Sequence, residues 1–262
     1  MAWDPTLYLK FGDERLRPGF ELLARIGDLP PGPLYELGCG TGVHARAIAG
    51  RWPERALTAI DRSREMLEKA AAEPAPIRWL EADIARWSAP EKAALIFSNA
   101  TLQWLGEHAR LFPHLVRQLV PGGVLAVQMP RNFDQPSHVL MRETAAEGPW
   151  AAALAPVVGV ATVLRQDPVA PPDWYYDLLA PLARPGLDLW ETDYLHVLEG
   201  EDPVLQWVSA TALRPVIEAL QGEARAGFLA AYGAKLRQAY PRRADGKTLL
   251  PFRRLFLVAR AA

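Results

Sequence analysis

The sequence has almost no cysteine: Cys39 is the sole thiol among 262 residues, so no disulfide can form within the chain and a reducing compartment is indicated. It also lacks an excess of either charge. Twenty-nine Lys and Arg residues stand against thirty Asp and Glu, a formal net charge of −1. No overall field therefore draws the chain to nucleic acid or to an anionic membrane, and any recognition of anions has to be local. No run approaches the roughly 20 consecutive apolar residues of a spanning helix. Residues 1–10 include Asp4 and Pro5 and hold no apolar signal core, so a cytoplasmic location is expected. Histidine is scarce as well: His138 and His196 are isolated, with no Cys or Asp at ligand spacing, and no metal is expected.

What is present is half hydrophobic, enough to bury one substantial α/β core in a single domain over 1–262. Leu34-Tyr35-Glu36-Leu37 reads as a short strand that runs into glycines. A helix over 42–52 follows, with Val43, Ala47 and Ile48 on its inner face. Residues 56–61 make a second strand, Ser63 caps a helix to about residue 72, and 77–82 and 93–98 make two further strands. A helix over 108–120 stops at Pro121-Gly122-Gly123 before a strand at 124–129. This alternation predicts a doubly wound, mostly parallel sheet. Prolines crowd 130–188, where helices and no regular sheet are expected. A strand at 189–197, helices over 203–220 and 223–240 and a last strand at 255–259 complete the pattern. Segments 1–20, 130–188 and 203–240 are expected to cap the carboxyl ends of the strands, where open α/β sheets bind ligands.

The chemistry concentrates at Glu36-Leu37-Gly38-Cys39-Gly40-Thr41-Gly42, between a strand and a helix, where missing Cβ atoms let backbone N–H groups approach a ligand. A dinucleotide fingerprint requires G-x-G-x-x-G, but counted from Gly38 its third glycine would fall at Val43. Glu36 would also repel a pyrophosphate and suits a ligand carrying an ammonium group. S-adenosylmethionine (SAM) has such a group. Asp61, with Arg62 beside it, ends the second strand where a carboxylate can accept bonds from both ribose hydroxyls of an adenosine. Asp83 and Ile84 follow the third strand, in place to meet the adenine, and Asn99 follows the fourth, near the methionine part. A nucleotide-dependent reductase is the rival reading of the same features. A nucleic-acid methyltransferase would show Pro-Pro and an aromatic after Asn99, where Ala100-Thr101 stands.

Longer segments carry a more specific signal. Trp3-Asp4-Pro5-Thr6-Leu7-Tyr8-Leu9-Lys10-Phe11, Glu14-Arg15-Leu16-Arg17-Pro18, Asn99-Ala100-Thr101-Leu102-Gln103-Trp104-Leu105, Leu125-Ala126-Val127-Gln128-Met129-Pro130, His138-Val139-Leu140-Met141-Arg142-Glu143 and Leu213-Arg214-Pro215 are among them. On these the chain resembles the trans-aconitate 2-methyltransferase family over almost its whole length. The resemblance implies a monomeric Rossmann-like enzyme that esterifies one carboxylate of trans-aconitate with SAM, releasing S-adenosylhomocysteine. Esterification of another small carboxylic acid is the alternative within methyltransferases, and a SAM-binding module without turnover stands outside them.

A carboxylate is already ionised at pH 7, so its methylation needs no general base. The requirement is positioning, and a tricarboxylate demands guanidinium forks for the carboxylates that do not react. Arg17, Arg131, Arg142, Arg214 and Arg253 are candidates, with Arg214 foremost because its surroundings, 207–217, are apolar. Tyr8, Trp104, Trp174, Tyr176 and Tyr194 are candidate pocket walls.

Overall fold

The computed structural model describes residues 12–157, 168–183 and 186–262; Tyr8 therefore lies outside the described residues. Strands β1 (Leu34–Leu37), β2 (Leu57–Asp61), β3 (Ile77–Glu81), β4 (Ala93–Asn99), β5 (Leu119–Pro130), β6 (Leu187–Leu198) and β7 (Thr248–Arg260) form one sheet in the order β3-β2-β1-β4-β5-β7-β6. β1 to β5 pair in parallel and β7 runs antiparallel to β5. Helices α1 (Gly12–Arg25), α2 (Val43–Arg51), α3 (Arg64–Ala71) and α4 (His108–Arg117) belong to the same part of the chain. The doubly wound, mostly parallel sheet is borne out, because strands joined through helical crossovers return in parallel. β1 is buried throughout and β4 in six of its seven residues, as unbroken apolar runs are when helices cover a sheet on both sides.

The chain folds as two compact units, with chain crossings inside β6 and β7. The sheet unit comprises Arg15–Pro130, Val169–Thr192 and Arg254–Ala262, and includes α7 (Pro172–Leu179). Among the described residues the helical unit comprises 12–14, 131–157, Pro168 and Asp193–Arg253. It holds α5 (Pro136–Ala146), α6 (Ala151–Leu154), α8 (Pro203–Ser209), α9 (Arg214–Ala219) and α10 (Gly222–Ala239). The segment 130–188, read above as one cap, is thus divided between the units.

The helical unit has its own apolar core, built around Trp150, Trp207, Phe228 and Tyr232. Tyr232 Oη donates to the Ser137 carbonyl at 2.5 Å, and Tyr240 Oη accepts from the Ser137 N–H at 2.9 Å. Two hydroxyls of α10 and its end thereby hold the first turn of α5, where the Ser137 N–H is one of the donors that a helix leaves without an internal partner.

Several boundaries differ from the pattern, each for a physical reason. The buried face of α2 is His44, Ala45, Ile48 and Ala49, rotated from the expected Val43 and Ala47, because His44 Nε2 reaches the Leu16 carbonyl at 3.1 Å and so satisfies its polar edge inside. The helix expected to reach residue 120 ends at Arg117, and β5 begins at Leu119: a register shift opposite 93–95 accommodates Gly122 at φ 74° within the strand. Residues 203–220 form two helices and not one. Pro215 has no N–H to give and sits in the first turn of α9, where none is needed.

Residues 12–25, for which the pattern implied no element, form α1 despite Pro18 and Gly19. Arg15, Pro18, Gly19, Leu22 and Leu23 are its buried positions, a helical stripe whose packing outweighs poor propensity. Gly19 permits that packing, since a Cβ there would stand 2.2 Å from His44 Nε2. Gly19→Ala is expected to destabilise the protein by about 1–2 kcal/mol, the overpacking penalty less the helix-propensity gain of alanine. Urea denaturation checks this; an unchanged or raised midpoint would contradict the contact.

Candidate active site

The candidate site is described within the sheet unit, at the carboxyl ends of β1 to β4. The turn 38–42 leaves β1 and enters α2 with Gly38, Gly40 and Gly42 at φ 75°, 53° and 79°, backbone that L side chains rarely adopt. Gly38 and Cys39 donate to the Ile60 carbonyl at 2.7 and 3.0 Å, which ties the turn to the end of β2. A Cβ on Gly38 would meet Thr101 Oγ1 at 2.1 Å, and one on Gly42 would meet the Trp79 ring at 2.5 Å. Among the described residues nothing lies within 4 Å of a Cβ built on Gly40, so the middle of the turn faces open space. Two glycines are thus required by neighbouring side chains, while the third borders free volume.

Asp61 clasps this turn. One carboxylate oxygen accepts from Gly40 N–H at 2.9 Å and the other from Ser63 N–H at 2.9 Å. Ser63 Oγ in turn accepts from Met66 N–H at 3.4 Å as the expected cap of α3. Arg46 of α2 braces the turn from behind: it donates to the Thr41 carbonyl at 2.9 Å and to the Ala70 carbonyl at 3.3 Å, and pairs with Glu73 at 3.1 Å.

The period of two along parallel strands places Glu36, Asp61 and Asn99 on one face of the sheet: Glu36 is in register with Ala59 and Phe97, each two residues before one of the others. Glu36 is 1% exposed, and among the described residues its Oε2 has no hydrogen-bond partner; Asn99 Oδ1 is likewise buried and unpartnered among them. Burial, with the Asp61 carboxylate nearby, pushes the Glu36 carboxyl up to about 8, partly offset by Arg46. Between Asn99 and Thr101 the backbone is strained. Ala100 sits at φ 52°, held by its N–H bond to the Gln128 carbonyl at 2.9 Å, and Thr101 Oγ1 donates toward the Asn99 and Gly38 carbonyls.

Of the other residues read from the sequence, Asp83 is exposed and accepts from Ala85 N–H at 3.0 Å, Ile84 is buried beside it, and Arg62 is exposed. Trp104 is 44% exposed on a short 3-10 turn, Leu102–Trp104. Arg17 lies on the exposed side of α1 and pairs with Glu21 at 2.6 Å. The arginine on that helix's buried side is Arg15, at 8% exposure, which the sequence reading passed over although the burial period of α1 singles it out.

Within the helical unit, Arg131 N–H bonds the Arg253 carbonyl at 3.0 Å, which brings those two candidates together. Arg253 pairs with Asp193 at 3.1 Å, and Arg142 donates to the Phe133 carbonyl at 2.8 Å. Arg214 is half-exposed and pairs with Glu218 at 2.8 Å, so its surroundings are less apolar than its sequence neighbours suggest. His138 is buried, and desolvation followed by the charge of Arg142 pushes it down to about 4, which keeps it neutral at pH 7. Thr101, Trp79, Arg46 and Ser98, whose Oγ donates to the Leu37 carbonyl at 2.9 Å, were missed; they act on the backbone of the turn and carry no motif of their own.

Among the described residues no group of His, Cys, Asp and Glu is placed to hold a metal, and no helix is long and apolar enough to cross a membrane. Residues 34–123 match a family described as a methyltransferase domain. The sheet is also shared with phosphoethanolamine N-methyltransferase 2 of Haemonchus contortus, solved in complex with S-adenosyl-L-methionine: TM-score 0.51 at 16% identity, covering 94% of this chain and 53% of that longer one. Sheet order, glycine turn and domain match define a class I, SAM-dependent methyltransferase. The chain is 47% identical over 258 residues to trans-aconitate 2-methyltransferase of Azoarcus sp., covering 98% of each. It is 48% identical over 262 residues to that of Methylobacterium radiotolerans, covering 99% of this chain and 98% of the relative. It belongs to the trans-aconitate 2-methyltransferase family.

The raised Glu36 carboxyl has a stability consequence. The folded protein holds this proton up to about pH 8, whereas the unfolded chain releases it near 4.5. The contribution is therefore full below about pH 4.5 and is lost as pH climbs to about 8. Glu36→Gln, which cannot ionise, is expected to gain stability relative to the parent across that window. Denaturation midpoints of the ligand-free proteins at pH 5, 7 and 9 measure it; a constant difference would place the Glu36 carboxyl at its ordinary value.

Proposed function

We propose that the protein transfers a methyl group from SAM to one carboxylate of trans-aconitate. The likeness over nearly the whole chain to proteins named for that reaction carries the substrate. The cofactor reading rests on the site itself. Glu36 Oε2 and Asn99 Oδ1 are buried acceptors on one sheet face without donors among the described residues, as a bound ammonium group requires, and Gly40 borders space that a ligand can fill. Asp61 is assigned to the ribose, with Arg62 next to it, and Asp83 and Ile84 to the adenine. When bound, SAM supplies an electrophilic methyl group on a sulfonium centre.

The protein's part is then to bind, orient and exclude water. A substrate carboxylate is ionised near neutral pH, so no side chain has to take its proton, in keeping with a His138 that is neutral and buried. What remains is to hold a carboxylate oxygen about 3 Å from the methyl carbon, which positioning alone can accelerate by many orders of magnitude. Arg214, Arg131, Arg17, Trp104 and Tyr8 are the residues to which substrate contact is assigned. Arg214 must exchange its Glu218 partner for a substrate carboxylate to act as the anchor.

Two measurements test this reading. Asp61→Ala is expected to weaken S-adenosylhomocysteine binding by about 1.5–3 kcal/mol through loss of a charged acceptor, with added loss because Gly40 and Ser63 are released. Calorimetry showing unchanged affinity would remove Asp61 from the site. For the substrate, labelled SAM and a panel of small carboxylic acids should yield a methyl ester with trans-aconitate, and Arg214→Ala should lower kcat/KM by about 1.5–3 kcal/mol with cofactor affinity little changed. Arg214→Lys, keeping charge without the planar fork, should fall between. Full activity in Arg214→Ala would exclude it as the anchor, and no ester from any polycarboxylate would exclude the substrate.

A further inference from the structure

The sheet unit holds a second concave feature, which borders the site above at Ala85, the donor to Asp83. A cleft of about 630 Å³ lies between the turn that follows β3 and one face of α4, within the size range of small-molecule sites. We propose that this cleft binds a polyphosphate-bearing anion.

The charge of the cleft is local and one-sided. Arg86 comes from the turn and Arg110 and Arg117 from α4, whereas Glu107 is the sole acidic residue lining it, in a chain whose acids and bases otherwise balance. Arg110 is paired with Glu107 at 3.3 Å. The guanidinium groups of Arg86 and Arg117 have no hydrogen-bond or ion-pair partner among the described residues. Arg117 also stands in the last turn of α4, where a cation complements the helix dipole by about 0.3–1 kcal/mol. That explains one guanidinium. It does not explain Arg86, which the other wall holds toward the same cleft.

The walls are braced before any ligand arrives. His114 Nε2 lies 3.3 Å from both Ser88 Oγ and the Trp87 carbonyl, and Gln118 Oε1 accepts from Ala89 N–H. The two faces that carry the cations are therefore held against one another, and an anion entering between them is drawn by both. Guanidinium forks pair in bidentate fashion with phosphate oxygens, and three of them match a ligand that carries several such groups in a short span. Leu105, half-buried, adds an apolar surface on which the organic part of a nucleotide can rest. The ligand can be a free polyphosphate or the triphosphate of a nucleotide; the chemistry recognised is shared.

Calorimetry on the whole chain with inorganic tripolyphosphate tests the proposal. A second arm uses ATP with the protein saturated in S-adenosylhomocysteine, so that adenosine cannot enter the cofactor site; the tripolyphosphate arm does not depend on the cofactor assignment. One-to-one binding is expected, weakened at least tenfold by the double variant Arg86→Ala/Arg117→Ala. Glu107→Gln, which removes the opposing carboxylate and frees Arg110, should tighten it severalfold. All three side chains are exposed, so thermal midpoints close to the parent's will show that the variants fold. ATP binding more tightly than tripolyphosphate identifies a nucleotide, and equal affinities identify the phosphate chain itself. Absence of tripolyphosphate binding to the parent, or equal affinity in the double variant, overturns the assignment.

Discussion

The carboxylate of Asp61 is the tie on which the candidate site depends. By accepting the Gly40 and Ser63 N–H groups together, it joins the glycine turn after β1 to the cap of the helix after β2. A charged acceptor shared between two backbone donors is stronger than either neutral bond, and it holds a turn whose three glycines all sit at positive φ. The rest of the site is arranged round this tie. Thr101 and Trp79 occupy the space that Cβ atoms at Gly38 and Gly42 would need, and Arg46 fastens the turn from the opposite side. The turn is thus determined from three directions, which lets it stay in a conformation that ordinary residues avoid.

The same arrangement carries an electrostatic cost. Glu36 and Asp61 are both acidic and near one another, and one oxygen of Glu36 is buried without a donor. In the ligand-free protein Glu36 answers by holding its proton. A cation arriving at that oxygen reverses the preference, so ligand binding and ionisation of Glu36 are linked. A buried acceptor left open is expensive in a fold that satisfies most of its polar groups, and such groups mark where a ligand completes the structure.

Substrate recognition places different demands. Two of the arginines proposed for it are already engaged, Arg214 with Glu218 and Arg17 with Glu21. Such contacts keep the side chains ordered, and exchanging a surface partner worth about 0–1 kcal/mol for a substrate carboxylate is a small rearrangement.

How much of this the sequence alone determined follows from the range of the interactions involved. The strand–turn–helix at 34–51, the acids at 61 and 83 and the parallel order of the first strands were all legible, because they rest on periodicity, on glycine's freedom at positive φ and on capping, each a matter of a few neighbouring residues. Helix α1 was not legible, since Pro18-Gly19 reads as a break and only packing on His44 outweighs that. The early start of β5 and the rotated face of α2 likewise depended on partners far along the chain. Tertiary structure alone separated the buried Arg15 from the exposed Arg17, gave Arg214 its partner and left Arg86 and Arg117 facing one cleft. Local pattern specifies backbone; which charged side chains are paired, buried or left open is decided only when distant segments meet.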